Sequence, residues 1–335
     1  MTSGRVKSGR TIDRRESHRA ASRLPGSSTP AEFVALARDP FIARLRSGLF
    51  DHCGVPRGAR VVLAVSGGAD SLALLLGAAV IATRSRRSGG ITPICVHVNH
   101  HLRPSADADA RYVERQCARL GVLCDVVDID PARTRGNLEA VARRLRYAAL
   151  LDATRRHRAS CVATAHHADD QLETILMGLC RDGRVDATLG MPWVRPLEES
   201  TPSHEGGDQQ GDQQGRGAKQ PGRESPVLLI RPFLGHRHVE CELFCRRAGR
   251  RWRHDESNDD LTRARARLRR DVVPVLESLW PGTTQRVARA LAQLPSAPPS
   301  KGGAQPSREA IAPAGGHIDL DPVDAAVRGK GIPGT

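Results

Sequence analysis

The chain has 335 residues, enough for two domains, with 39% apolar but only 3% aromatic residues, so its core must be built from Val, Leu, Ile and Ala. The net charge of +14 favours a polyanionic partner, although nearly all 51 basic residues are arginine and a coding bias would give the same surplus. The longest apolar run, Leu72 to Ala82, is about half the roughly 20 residues that span a bilayer, and no apolar stretch follows the charged N-terminus, so neither a membrane span nor a secretory leader is expected and a cytoplasmic location is predicted.

Residues 1–38 are rich in Arg, Ser and Gly and read as a disordered basic arm. Val61 to Val65 is a continuous apolar run, as in a parallel strand covered on both faces. A buried helix follows over Ser71 to Ile81. Ile94 to Val98 is the next strand, Ala106 to Leu120 a helix, and Val122 to Ile129 a third strand. Asn137 to Arg156 is a long helix with Asn137 placed as its N-cap. Cys161 to Ala165 is strand, Ala168 to Cys180 helix, and Val227 to Ile230 a last short strand. This alternation predicts an α/β fold with a doubly wound parallel sheet, whose ligands bind beyond the carboxyl ends of the strands.

Residues 198–226 contain a tandem Gly-Asp-Gln-Gln and read as a solvated low-complexity insertion within a domain covering 39–235. Residues 236–294 read as a second, smaller helical domain rich in Arg, and 295–335 as a loose tail. The eight cysteines include no C-x-x-C pair, and Cys241 and Cys245, one helical turn apart, read as structural.

The chemistry concentrates where the first strand ends. Ser66-Gly67-Gly68-Ala69-Asp70-Ser71 combines a tight Gly turn, hydroxyl donors and the N–H groups of a helix start, which together make a phosphate cradle. A carboxylate beside phosphate is repelled unless a cation intervenes, so Asp70 implies Mg²⁺. The spacing is not that of a Walker A loop. His166, His167, Asp169 and Asp170 open another helix on the same rim. They could form a zinc site if His100 or His101 converged on them, or a helix cap. Glu139, Arg143 and Arg146 share one helical face, either as a surface ion-pair ladder or as a pocket wall.

Four segments resemble one family. Ser66 to Ser71 is similar to the pyrophosphate-binding loop (PP-loop) of the N-type ATP pyrophosphatases, which adenylate their substrates. Val96-His97-Val98-Asn99-His100-His101-Leu102-Arg103, Asn137 to Tyr147 and Thr164 to Thr174 resemble motifs of the tRNA(Ile)-lysidine synthetases within that group. Arg231-Pro232-Phe233-Leu234 and Asp255-Glu256-Ser257-Asn258 resemble later segments. Two departures stand out: Ala266 replaces a usual Asn, and Arg181-Asp182-Gly183-Arg184 lacks the usual Gly-rich pattern.

The resemblance implies an adenine-nucleotide-hydrolase-like fold that binds ATP through Ser66, Gly67, Gly68, Ala69, Asp70 and Ser71. It places His97 and His166 near the nucleotide. Asp70 and Asp170 become the catalytic pair that shares Mg²⁺. Glu139, Arg143 and Arg146 would hold L-lysine, and Arg265 and Arg269 would contact tRNA(Ile). The implied reaction joins lysine to the wobble cytidine through an adenylate. A homodimer is an open assembly. A tRNA base thiolase and a non-catalytic nucleotide-binding module are the rivals.

Overall fold

A computed structural model describes residues 31–84, 90–134, 136–183, 189–197, 226–253 and 263–293. Nearly all of the basic arm, the insertion and the tail lie outside the described residues, as do Arg184 and Asp255 to Asn258.

Two short helices, α1 (Ala31–Leu36) and α2 (Pro40–Ser47), precede strand β1 (Arg60–Ala64). Asp39 caps α2 by accepting from the Phe41 N–H at 2.9 Å, and Pro40 supplies the fixed φ that suits a first turn. Then follow α3 (Ala69–Arg84), β2 (Thr92–Asn99), α4 (Ala106–Leu120), β3 (Leu123–Asp128) and α5 (Leu138–Arg156). Next come β4 (Cys161–Ala163), α6 (Ala168–Asp182), β5 (Val194–Pro196), β6 (Leu228–Ile230) and α7 (His238–Arg247). The last helices are α8 (Ala264–Arg267), joined by a π-helical turn to α9 (Val273–Leu279), and α10 (Thr283–Gln293).

The six strands lie in the order β3-β2-β1-β4-β6-β5. All pairs are parallel except β5 with β6, so the expected parallel sheet carries one antiparallel edge. Three residues ending in Pro196 leave too little pattern for β5 to be read from sequence, and Pro suits a sheet edge.

Alternation along β1 sorts the core into two layers. Val61 and Leu63 face α2, α3, α4 and α7, whereas Val62 faces α5 through Tyr147, Leu150 and Leu151. Both layers are made mainly of aliphatic side chains. The exception is a small aromatic group in which Phe41 stacks on Phe244 at 4.3 Å and meets Phe233 edge-on at 5.2 Å. Helix α3 is buried almost throughout. At Gly77 a Cβ would come within 2.4 Å of Leu45, so glycine there sets how closely α2 approaches. Helix α7 buries Cys241, Phe244 and Cys245 in the same core as β1 and α3, so shared apolar packing crosses the boundary expected near 236. No helix among the described residues is long and apolar enough to cross a membrane.

Candidate active site

Parallel strands all deliver their carboxyl ends to one rim, and the strand order reverses beside β1, which opens a crevice there. The Ser66 loop leaves β1 at that point. Gly67 has φ of 97°, a backbone conformation that strains any side chain, and its missing Cβ would meet Val113 at 3.4 Å. Gly68 has no such φ. A Cβ there would meet only the Ser66 hydroxyl, 3.7 Å away, so glycine keeps that side of the loop open.

Ser71 stitches the loop together. Its Oγ accepts from the Ser66 and Gly67 N–H groups at 3.2 and 3.1 Å, and donates to the Gly68 carbonyl at 3.1 Å. Ser66 Oγ lies 3.1 Å from the same hydroxyl. Ser71 therefore shapes the cradle from beneath. His97, buried on β2, contacts the Val65 carbonyl through Nδ1 at 2.8 Å and so fixes the residue before the loop. From the other side Arg253 donates its N–H to the Gly67 carbonyl at 3.0 Å and its guanidinium to buried Asp109 at 2.6 Å.

Asp70, in the first turn of α3, sits between two imidazoles. His238 Nδ1 is 2.8 Å from one carboxylate oxygen and His167 Nε2 is 3.6 Å from the other. Burial opposes its charge, but hydrogen bonds from His167 and His238 hold its carboxyl well below the usual range.

His167 caps α6. The Asp170 carboxylate accepts the His167 N–H at 3.0 Å, while the Asp170 N–H points to Nδ1 at only 3.4 Å. Around the same ring stand Asp70, Asp169 at 3.4 Å and Asp170 at 3.5 Å. Burial works against an imidazolium, yet Asp170, Asp169 and Asp70 together push the His167 pKa up to about 10. The weak backbone donor loses to three carboxylates, so His167 carries a charge at neutral pH. His166, by contrast, is bonded to Thr164 Oγ1 at 2.8 Å, and burial lowers its pKa to about 4, which leaves it neutral.

The carboxylates divide into two roles. Asp169 accepts from the His238 N–H and from Arg237 Nε, both at 2.8 Å, and so anchors the start of α7. Asp70 and Asp170 each present an oxygen to the same His167 nitrogen, so the charged imidazole draws the two acids together beside the Ser66 loop, and a pair of carboxylates next to a phosphate cradle is the donor set that Mg²⁺ takes. A zinc-type set would have needed His100 or His101, and neither belongs to the group that forms around Asp70 and His167. His101 pairs instead with Asp128 and Asp107, at 2.7 and 3.3 Å. His238 joins Asp70 and His167, forming a group whose ligand atoms all lie within 4.8 Å of one another. Sequence reasoning missed His238 because nothing in the run His236-Arg237-His238 shows that α7 crosses the Ser66 loop.

A second cluster forms on the α5 side. Asn137 caps α5 by accepting from the Glu139 and Ala140 N–H groups at 3.0 and 3.1 Å. Arg143, Arg146 and Arg195 place their guanidiniums 4.9, 5.7 and 5.3 Å from the centre of the Tyr147 ring. Burial raises the Tyr147 pKa, but Arg143, Arg146 and Arg195 outweigh it and bring it down. Arg231 is buried, donates to the Pro192 carbonyl at 2.7 Å, and has no acceptor for its Nε among the described residues. Burial, with Arg195 and Arg143 adding like charge, lowers its pKa to about 10. Glu139 is exposed in the first turn of α5, on the edge of this basic group.

Arg265 and Arg269 face α6. Arg269 grips Glu173 with both nitrogens, at 2.7 and 3.1 Å, and Arg265 Nε lies 3.2 Å from the same carboxylate, which is fully buried. Arg269 also lies 3.6 Å from Asp170.

A doubly wound sheet with a glycine turn, paired hydroxyls and an acid after its first strand defines an ATP-using domain of the PP-loop kind. Comparison with known proteins agrees: residues 44–276 match the family model described as PP-loop domain, and the chain belongs to that family. It is 38% identical over 237 residues to the tRNA(Ile)-lysidine synthase of Deinococcus radiodurans, covering 69% of this chain and 33% of that one. The enzyme of the same name from Geobacillus kaustophilus is 32% identical over 250 residues, covering 73% of this chain and 47% of that one. This chain thus spans a third to a half of the curated relatives it matches. Among solved structures, the U34-tRNA thiolase NcsA from Methanococcus maripaludis, with its [4Fe-4S] cluster, superposes with a TM-score of 0.54 at 16% identity, over 76% of this chain and 78% of that one. That likeness concerns the fold.

Proposed function

We propose that this chain joins lysine to C2 of the wobble cytidine of tRNA(Ile), consuming ATP and releasing AMP and pyrophosphate. The observation that carries the reading is the meeting of Asp70, in the Ser66 loop, with His167 and Asp170 at the start of α6. The likeness to lysidine synthases supports the substrate assignment.

In this reading the loop N–H groups and the dipole end of α3 hold the ATP phosphates, with Gly68 leaving room for close approach. His97 acts from below, as the support of Val65, and neutral His166 borders the nucleotide. Asp70 and Asp170 would hold Mg²⁺, whose chemistry there would be to neutralise charge on the phosphates. Protonated His167 balances the two acids and keeps them aimed at one point. The C2 oxygen of the cytidine attacks the α-phosphorus as pyrophosphate departs. The ε-amine of lysine then attacks C2, AMP leaves with that oxygen, and the amine loses a proton. The protein contributes mainly positioning and preset charge.

The arginines around Tyr147 suit a carboxylate or phosphate, because guanidiniums grip both in bidentate fashion and Arg231 keeps a buried donor to spare. Arg143 and Arg146 would take the lysine carboxylate, with Glu139 at the rim for an ammonium group. Arg265 and Arg269, fixed by Glu173, form a preset basic edge for tRNA phosphates.

A thiolase needs a reactive sulfur at this rim. The cysteines nearest Asp70, Cys241 and Cys245, are held protonated by burial and by the Asp70 charge, Cys245 with a pKa pushed up to about 12. The test is mass spectrometry of tRNA nucleosides after incubating the full chain with ATP, lysine and tRNA(Ile). A lysidine mass that requires both ATP and lysine supports the reading, and its absence with active tRNA rejects it.

A further inference from the structure

Three thiols gather in a part of the fold that the proposed reaction does not use. Cys95 lies on β2, Cys117 in the last turns of α4, and Cys124 on β3. Cys95 and Cys124 are register partners across the parallel pair, so their side chains leave the same face of the sheet, the face covered by α4. Their three sulfur atoms all lie within 4.8 Å of one another. Cys95 and Cys117 are buried, while Cys124 is partly exposed and gives the group one edge toward solvent.

The position separates this group from the ATP site. Cys95 is the fourth of the eight residues of β2, paired with Leu63, and Cys124 is the second of the six residues of β3. The group therefore sits below the rim that carries the Ser66 loop.

We propose that Cys95, Cys117 and Cys124 form a binding site for one thiophilic divalent cation of the zinc class. Sulfur separations of this size suit three thiolates closing on a single ion at about 2.3 Å each. A four-iron cluster would instead put each sulfur on a separate corner and hold them further apart. Thiolate is the donor that soft and borderline cations prefer over the oxygen-preferring Mg²⁺. On binding, three metal–sulfur bonds form, the S–H bonds of Cys95 and Cys117 break with their two protons passing to the solvent, and Cys124 binds as the thiolate it already favours. The exposed edge at Cys124 leaves the fourth position to water. The bound ion would clamp one continuous β2-α4-β3 unit and tie the edge strand β3 to the helix that covers it.

One of the three thiols leans toward this state, while hydrogen bonding and burial hold Cys95 and Cys117 above the usual thiol range, so the ion must displace their protons. The Cys117 and Cys95 S–H groups donate toward Cys124 and hold it well below the usual thiol range. Three cysteines packed merely as small hydrophobes would bind nothing, which makes the proposal open to test.

The full chain, stripped with chelator and kept reduced with a phosphine, is titrated with Cd²⁺ in the absence of ATP. Sulfur-to-cadmium charge-transfer absorption reports thiolate ligands and is blind to the Asp70, His167 and His238 group. Wild type should show one equivalent with the intensity of three thiolates. Cys117→Ala and Cys124→Ser should each lower that intensity and weaken binding at least tenfold, whereas Cys161→Ala and Cys180→Ala should leave both unchanged. Cys124→Ser, at the partly exposed position, provides the test if Cys117→Ala does not fold. Zn²⁺ alone should raise the melting temperature of wild type but not of Cys124→Ser. Absence of the band in wild type, or an equal band in Cys124→Ser, overturns the proposal. So does an equal zinc response in the two proteins, which would place the ion on the histidine group.

Discussion

Arg269 and Glu173 offer a sharp test of how the Arg-rich helices are fixed to the sheet domain. Glu173 has no exposed side-chain surface, and Arg269 grips it with two nitrogens, with Arg265 as a third contact. Removing one partner of a buried pair costs about 3–5 kcal/mol, because the other charge is left without compensation. Both arginines are 46% exposed, so water screens part of that loss, and Arg265 remains. Arg269→Ala should therefore cost about 2–3 kcal/mol at neutral pH. Glu173→Gln keeps the shape and leaves two arginines that water can solvate, so it should cost only about 1 kcal/mol. In the double variant the arginine has little left to lose, and the coupling should be about 1–2 kcal/mol.

The sign with pH follows from Glu173. Burial raises its pKa and Arg269 opposes that rise, so deleting Arg269 raises it further. A carboxyl whose folded pKa exceeds its unfolded value favours the fold when protonated, and this contribution disappears as pH climbs from the unfolded toward the folded pKa. The cost of Arg269→Ala should then be smaller at pH 5 than at pH 8. Urea unfolding at both pH values measures it, with an unchanged slope required for the comparison. Equal costs for the two single variants, or additivity within about 0.5 kcal/mol, would refute the reasoning.

Other expectations rest on separate parts of the site. Asp70→Asn should keep the fold and abolish pyrophosphate release, and near-normal turnover would remove Asp70 from the mechanism. Gly67→Ala should cost about 1–2 kcal/mol from the positive φ alone and should weaken ATP binding, both readable by thermal shift with and without nucleotide. Neutralising the exposed Arg267 and Arg270 should lower the log–log salt slope of tRNA binding by about one unit for each phosphate left without its cation, with ATP binding untouched. Glu139→Gln should relax the choice of lysine over ornithine and arginine, and an unchanged preference would free Glu139 from that role.

Why the sheet was so readable lies in its burial. Strands covered on both faces must be continuously apolar, so β1 and β2 announced themselves, and the α4 span Ala106–Leu120 coincides with its expected range. Asn137 was legible as a cap because capping is a local matter of one side chain and the next two N–H groups. Glycines in a strand-to-helix turn are equally local, and so the Ser66 loop stood out. What stayed hidden depends on contacts between distant segments. Nothing near His238 in sequence says that it meets Asp70. Arg195 and Arg231 join Arg143 at Tyr147 only because β5 and β6 extend the sheet past β4. The same distinction accounts for Arg265 and Arg269. A run of arginines reads as a surface for phosphate, but Glu173, one turn after Asp170 on α6, supplies an internal anion first. In the proposed reading, a basic edge already paired within the protein would be held in place before tRNA arrives. Its contribution to binding would then be geometric as well as electrostatic, and tRNA binding by the Arg269 and Glu173 variants would separate those two parts.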